Sequence, residues 1–214
     1  MQPVTRVVVA TVSFAALHSG LASRGAKAAA GRLVGERARD AWYRPFFVVQ
    51  SVFATAWWMR TVLGPPDREV WRAPPAVAAL MLVGQATSLV WMARAATAAG
   101  VGNLLGVPGA RAWLCGDAVP APQEAQGPAP TADGMDARGP FRRSRHPLNA
   151  APIPLLWLQP RMTRNRLVAT ILASAYFVVG SRHEEQRLSA AYGRRYERYR
   201  GGAAGFLMSI RRVG

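Results

Sequence analysis

At 214 residues the chain suits a single domain, and half of it is apolar while 18% is charged, below the roughly 25% usual for soluble domains. The formal net charge of +16 does not argue for nucleic acid, because the basic residues are dispersed between apolar runs and no basic domain stands apart from them. Cys115 is the sole cysteine, which excludes intrachain disulfides and argues against a cysteine metal site.

The runs near Val4 to Leu21, Pro45 to Leu63 and Pro74 to Ala93 are each close to the roughly 20 residues needed to cross a hydrocarbon core. Arg6, the apolar stretch Val7 to Leu17 and the small residues of Ser19 to Ala22 imitate a secretory leader. The run nevertheless reaches spanning length, and the cations after it fit a retained first helix. His18 sits near the water end of that helix, where a histidine most simply bonds a backbone carbonyl.

Ser23 to Arg44 carries Arg24, Lys27, Arg32, Arg37, Arg39 and Arg44 against only Glu36 and Asp40, so it reads as a cytoplasmic loop. The second helix runs from Pro45 to about Leu63, after the interfacial pair Trp42 and Tyr43. Gly64 to Ala73 is a short external turn with nearly balanced charge, and the third helix follows from Pro74 to Ala93. In Ala95 to Arg138, the stretch Ala118 to Asp136 contains four prolines and few large apolar residues, which suits an irregular loop. Val101 to Trp113 is less polar and fits either a membrane-surface segment or a cavity wall.

Pro147 to Leu158 and Leu167 to Gly180 are each too short to cross the core comfortably, and they read as a helical hairpin whose first arm is kinked or shortened by Pro152, Pro154 and Pro160. From Arg182 to Arg200, Leu188, Tyr192, Tyr196 and Tyr199 recur at spacings of three or four, which predicts an amphipathic helix at the cytoplasmic interface. Phe206 to Ile210 then reads as a segment that docks on the membrane or the bundle. The predicted fold is therefore all-α, a polytopic membrane helical bundle of about five transmembrane helices. Residues 1–94 form an N-terminal three-helix membrane region, 95–138 a cytoplasmic connecting loop, and 139–214 a C-terminal cofactor-binding hairpin with its amphipathic tail.

Polar clusters beside apolar helices are costly unless they face a cavity, a ligand or the interface. One such cluster is Gly139-Pro140-Phe141-Arg142-Arg143-Ser144-Arg145-His146-Pro147. Pro147 favours an extended conformation at His146 and can begin a helix, whose free N–H groups, with Arg145 and His146, suit a carboxylate. The hairpin returns Glu184 and Glu185 to the same side, where a carboxylate binds an ammonium or a ribose hydroxyl. The bland alternative pairs these glutamates with Arg182, Arg187 or Arg195 on a solvated helix face.

Gly-Pro-Phe at 139–141, Arg145-His146-Pro147, the short hairpin, Glu184-Glu185 and Tyr192-Gly193 with Tyr196 and Tyr199 together resemble the isoprenylcysteine carboxyl methyltransferase family. Its wider group includes phospholipid N-methyltransferases and bacterial methanethiol S-methyltransferases. The resemblance covers about Gly139 to Arg200, and Leu17-His18-Ser19 is similar to bacterial members. It implies a multi-pass enzyme of the inner membrane that holds S-adenosylmethionine near the cytoplasmic face and takes a lipophilic acceptor or a small thiol. Phe141 then matches an aromatic lining the cofactor, Arg145, His146, Pro147, Leu148 and Asn149 the segment that holds it, and Glu184 the family's cofactor-binding glutamate. Two positions depart from the pattern: Asn149 stands where the family has Tyr, and Gly180 where prenylcysteine enzymes have an Arg for the substrate carboxylate. Two other readings share the plan, a membrane reductase using NADPH and a non-enzymatic membrane protein similar to nitric oxide reductase accessory proteins.

Overall fold

The computed structural model describes residues 2–206 apart from 65, 66, 123, 125 and 204. The docking segment expected at 206–210 lies, beyond Phe206, outside the described residues. The chain divides into two compact units, one made of residues 1–64 and 100–123, the other of 65–99 and 124–214.

The first unit holds α1 (Pro3–Ala22), α2 (Arg24–Val34), α3 (Glu36–Leu63), α5 (Val101–Leu105) and α6 (Val107–Cys115). Trp58 Nε1 donates to Thr11 Oγ1 at 2.9 Å, Ser51 Oγ lies 3.2 Å from His18 Nδ1, and Tyr43 donates to the Leu21 carbonyl at 2.7 Å. Rising α1 numbers meet falling α3 numbers, so the two helices run antiparallel. His18 thus meets a side-chain hydroxyl, and its ring also packs on Phe14 and Phe47.

The cationic stretch 23–44 is helical rather than a loop. Ser23 caps α2 by accepting from the Ala26 N–H, and Gly35 (φ +85°) separates α2 from α3. The arginines at the start of α3 are engaged within the unit: Arg37 lies over the Trp113 ring and donates to the Asp117 carbonyl, Arg44 donates to the Leu104 carbonyl, and Arg39 pairs with Asp40. Val101 to Trp113 is accordingly two short helices, and α6 packs on the polar start of α3.

Gly109 makes that packing possible, because a Cβ there would lie 2.8 Å from the Asp40 carbonyl oxygen and 3.2 Å from Ala41 Cα. These are backbone atoms and cannot rotate aside. Gly109→Val is expected to lower unfolding stability by about 1–3 kcal/mol, the scale of core overpacking. Thermal unfolding of the detergent-solubilised protein checks this against Gly20→Ala, whose Cβ would meet nothing within 4 Å.

The second unit holds β1 (Glu69–Arg72), α4 (Pro75–Ala99), a 3₁₀ turn (Gly139–Arg142), α7 (Pro147–Ala150), α8 (Pro152–Trp157), β2 (Arg161–Thr163), α9 (Arg164–Tyr192) and α10 (Arg194–Gly202). The fold is thus mainly helical, as the sequence predicts, with one two-stranded sheet among the described residues. β1 and β2 pair antiparallel, Trp71 opposite Met162 and Arg72 opposite Arg161, with a bulge between Glu69 and Trp71. Glu69 accepts from both Arg72 and Arg161, so Arg161 of the hairpin turn finds its counter-charge on β1. Asp67 accepts from the Asn165 N–H and Thr163 from the Arg166 N–H, which satisfies free donors at the start of α9.

The predicted hairpin is present, with its first arm split at Ala151 because Pro152 supplies no N–H to continue α7. Asn149 donates to Ser181 and Thr170 to the Leu156 carbonyl, so the two arms run antiparallel. The predicted amphipathic helix 182–200 is not one element. Its first half is the end of α9, Gly193 (φ +51°) breaks the chain, and α10 follows. Across the break, Tyr192, Tyr196 and Tyr199 pack with Leu188 in a small core.

Three helices are long and apolar enough to cross a membrane: α1, α3 and α4. Among the described residues no other helix meets that standard, and the five spans expected from sequence exceed these three.

Candidate functional site

The site is built in the second unit where three pieces of chain converge. The 3₁₀ turn delivers Ser144, Arg145 and His146 as the loop enters α7. One face of α9 presents Ser181, Glu184, Glu185 and Leu188 at helical spacing. The third piece is α10 and the residues just after it.

His146, 4% exposed, is the centre. Its Nε2 lies 3.0 Å from Glu185 Oε1 and its Nδ1 lies 3.4 Å from Glu184 Oε2. A carboxylate facing each ring nitrogen requires both nitrogens to be donors, which is the imidazolium form. Burial works against that charge, but the hydrogen bonds and charges of Glu184 and Glu185 outweigh it and raise the His146 pKa above its ordinary value. Burial likewise opposes ionisation of both glutamates. For Glu184 it is overcome first by His146, for Glu185 first by Arg145, and both carboxyls are held below the usual range.

Arg145 Nε donates to Glu185 Oε1 at 2.8 Å, and its Nη1 donates to the carbonyls of Ala203 at 2.7 Å and Arg200 at 3.2 Å. Asn149 donates to Glu184 Oε2 at 3.3 Å and to Ser181 at 3.0 Å. The Gln126 backbone N–H donates to Glu184 Oε1 at 3.2 Å, and the Glu124 N–H to the Tyr192 hydroxyl at 3.4 Å. The proline-rich loop therefore reaches the site, with Gly127 and Pro128 buried.

The residues singled out from sequence divide clearly. Arg145, His146, Asn149 and Glu184 meet in one network. Phe141 is buried, and its carbonyl accepts from Tyr199 at 2.8 Å. Pro147 is buried and Leu148 half-buried beside them. The glutamates do not lie on a solvated face paired with Arg182, which is exposed. The helix end expected to hold an anion is weak, since α7 is a single turn and the Asn149 and Ala150 N–H groups both return to the His146 carbonyl. So short a helix has little dipole to offer. His146 itself has φ −128° and ψ 51°, short of the extended conformation expected before a proline.

Glu185, expected on this side together with Glu184 but not among the residues matched to the cofactor, shares His146 with Glu184. Three further residues outside that set matter here. Ser181 holds Asn149. Ser144 is fully buried, accepts from the His146 N–H and faces the carbonyls of Gly205 and Phe206. The Tyr196 hydroxyl is buried without a hydrogen-bond partner in the protein, and burial, reinforced by the charge of Glu185, raises its pKa far above the ordinary value.

The opposed shifts give a pH signature. His146, with its pKa raised on folding, contributes stability that is fully present below about pH 6.5 and lost as pH rises through the folded value. Glu184 and Glu185, with theirs lowered, contribute stability present above about pH 4.3 and lost as pH falls through their folded values. Arg145, Arg187, Tyr196 and Tyr199 also face the cluster. The thermal midpoint of the ligand-free protein is expected to fall on the alkaline side of this window, and His146→Gln to flatten that fall. A parallel decline in both proteins would place its source elsewhere.

The second unit thus defines a helical scaffold carrying a buried, charge-balanced His–Glu–Glu–Arg cluster, in a chain with three helices of membrane-spanning length and composition. A stretch of 72 residues is 29% identical to methanethiol S-methyltransferase of Pseudomonas deceptionensis, covering 34% of this chain and 28% of that protein. The match therefore spans little more than a quarter of that relative's length. No family model matches the chain, and no solved structure matches it.

Proposed function

We propose that the protein is an integral membrane methyltransferase that uses S-adenosylmethionine and transfers its methyl group to a thiol, a carboxylate or another lipophilic acceptor. The supporting observation is the cluster's charge balance. Arg145 and His146 carry two positive charges and Glu184 and Glu185 two negative ones, so a zwitterion can enter without leaving net charge buried. An amino-acid end of a cofactor is such a group. Its ammonium suits Glu184, replacing the Gln126 N–H that now donates there. Its carboxylate suits Arg145 and the Tyr196 hydroxyl, whose missing partner marks a place for an acceptor. The described residues therefore fit the cofactor. The similarity to methanethiol S-methyltransferase points the same way, as do the motifs at 139–149 and 184–199.

When bound, S-adenosylmethionine supplies an electrophilic methyl group on a sulfonium. The protein's part is then to hold donor and acceptor in line and to exclude water. Phe141 and Pro147 supply dry walls, Asn149 and Ser181 orient Glu184, and Glu185 orients His146. His146 already donates from both nitrogens and has no lone pair for an acceptor's proton, so its role here is binding. A thiol acceptor, which ionises readily, asks for no further base. In this reading the protein lies in the inner membrane with the site toward the cytoplasm, and its acceptor is a small thiol or a membrane lipid.

The two carboxylates also separate this reading from an NADPH-dependent reductase, since a polyphosphate dinucleotide would face Glu184 and Glu185 with like charge. Mutual saturation of the cluster is the one observation favouring a non-enzymatic, accessory-type protein. Calorimetric titration of the purified protein with S-adenosylhomocysteine and with NADPH separates all three. Binding of the former alone is expected; tight NADPH binding with no response to S-adenosylhomocysteine, or no response to either, overturns the proposal.

A further inference from the structure

The end of the second unit that holds the site carries positive charge that its own carboxylates do not balance. Arg142 and Arg143 at the 3₁₀ turn, Arg182 on α9, and Arg194, Arg195 and Arg198 on α10 are all exposed. The described residues include every Asp and Glu of the chain, and none of them pairs with any of these six arginines. The carboxylates nearby are already engaged: Glu184 and Glu185 by His146 and Arg145, Glu197 by Ser189 and Arg200, and Asp136 by Arg138.

The same arginines gather where the unit leaves hydrocarbon. The apolar run of α4, a helix of spanning length and composition, ends before Arg94. Gly139 lies one turn further on, since a Cβ added to it would be 3.7 Å from the Ala98 side chain. The 3₁₀ turn with Arg142 therefore begins just past the end of that run. α9 is uncharged from Leu167 to Ser181, and Arg182 is the first charge after that stretch. Beyond Gly193 the chain comes back. Tyr196 packs on Leu188, Tyr199 bonds the Phe141 carbonyl, and Arg145 takes the carbonyls of Arg200 and Ala203. α10 thus returns from the tip of α9 toward the 3₁₀ turn, with Arg194 and Arg198, four residues apart, on the face opposite its tyrosines.

We propose that this arginine rim binds the phosphates of anionic phospholipids in the protein's own membrane. A guanidinium is a planar fork that meets phosphate oxygens two at a time, and it stays charged beside hydrocarbon. Anionic headgroups supply the counter-charge that the chain lacks here. The cations are spread over a turn and two helices, an arrangement that suits headgroups surrounding a boundary better than one polyanion, which needs a continuous basic face. Headgroups bound there bridge the 3₁₀ turn and α10, two of the three pieces from which the site is built. The proposal rests on α4 spanning a membrane and not on the methyl-transfer reading, so failure to bind S-adenosylhomocysteine leaves it standing.

The test uses the full chain extracted from nanodiscs of equal phosphatidylglycerol and phosphatidylcholine, with the retained lipids counted by native mass spectrometry. The unaltered protein is expected to retain phosphatidylglycerol over phosphatidylcholine by roughly fivefold or more, the scale of one arginine at a charged surface. Combining Arg142→Gln, Arg143→Gln and Arg198→Gln should remove most of that preference. The charge-matched set Arg60→Gln, Arg68→Gln and Arg164→Gln, also exposed arginines, should keep it. An equal preference in the two triple variants would trace it to net charge and overturn the proposal. In the unaltered protein, the amides of Arg142, Arg143 and α10 should exchange more slowly in nanodiscs containing phosphatidylglycerol than in pure phosphatidylcholine, and equal exchange overturns it as well. So would tight binding of an RNA oligonucleotide by the detergent-solubilised protein that the first triple variant loses, which would give the arginines to nucleic acid.

Discussion

Glu184→Gln is expected to weaken S-adenosylhomocysteine binding by roughly 30-fold or more, the effect of removing one charge from a buried, hydrogen-bonded pair. The substitution keeps the side chain's size and one of its oxygens, so the fold should tolerate it, and the loss would report charge. Glu184 is the carboxylate an ammonium can reach by displacing a neutral donor, since its Oε1 is held by the Gln126 N–H while Oε2 faces His146 and Asn149. Glu185 differs, because its Oε1 already takes both Arg145 and His146. Arg182→Gln, on the exposed face of the same helix, should bind as the unaltered protein does. Calorimetry on the three proteins decides the matter: if Glu184→Gln binds unchanged, the amino-acid end of the cofactor is not held at Glu184.

Arg145→Ala is expected to lower stability by about 3 kcal/mol, the lower end for breaking a buried ion pair, because Arg145 and Glu185 keep 14% and 22% of their side-chain surface exposed. The loss is not confined to the pair. The same guanidinium caps the carbonyls of Arg200 and Ala203, so it ties the loop before α7 to α9 and to the end of α10. Arg145→Lys should recover only part of the stability, since one ammonium cannot reproduce a planar fork reaching three acceptors. Denaturant unfolding gives the magnitude, and hydrogen exchange locates it: amides at the end of α10 should exchange faster in Arg145→Ala. Uniform exchange across the second unit in both proteins would show that Arg145 does not fasten α10.

Much of this architecture was legible in the chain because membrane-scale hydrophobicity is a local property. The runs that became α1, α3 and α4 were apparent from length and composition, as was the hairpin, whose short arms and prolines announced a broken first helix. The return of Glu184 and Glu185 to His146 followed from the hairpin alone. Charge composition was a poorer guide to local structure: the arginine-rich stretch 23–44 read as a loop, yet it is helical, because carbonyls and a Trp ring distant in sequence engage Arg37 and Arg44. Periodicity misled at 182–200 for a related reason. The tyrosine stripe has helical spacing, but Gly193 divides it between two helices and its members pack with Leu188 in a small core.

The sequence by itself determined the helical class, the three runs of spanning length and the residue types gathered at the site, since these depend on neighbours along the chain. Only the tertiary structure decided how the charges are shared. That His146 stands between two carboxylates, that Glu185 belongs to Arg145, that Gln126 covers Glu184 and that the hydroxyl of Tyr196 lacks a partner all depend on residues many positions apart. Hydrogen bonds are directional and short-ranged, and spacing along the chain does not specify which distant groups come within 3 Å of each other.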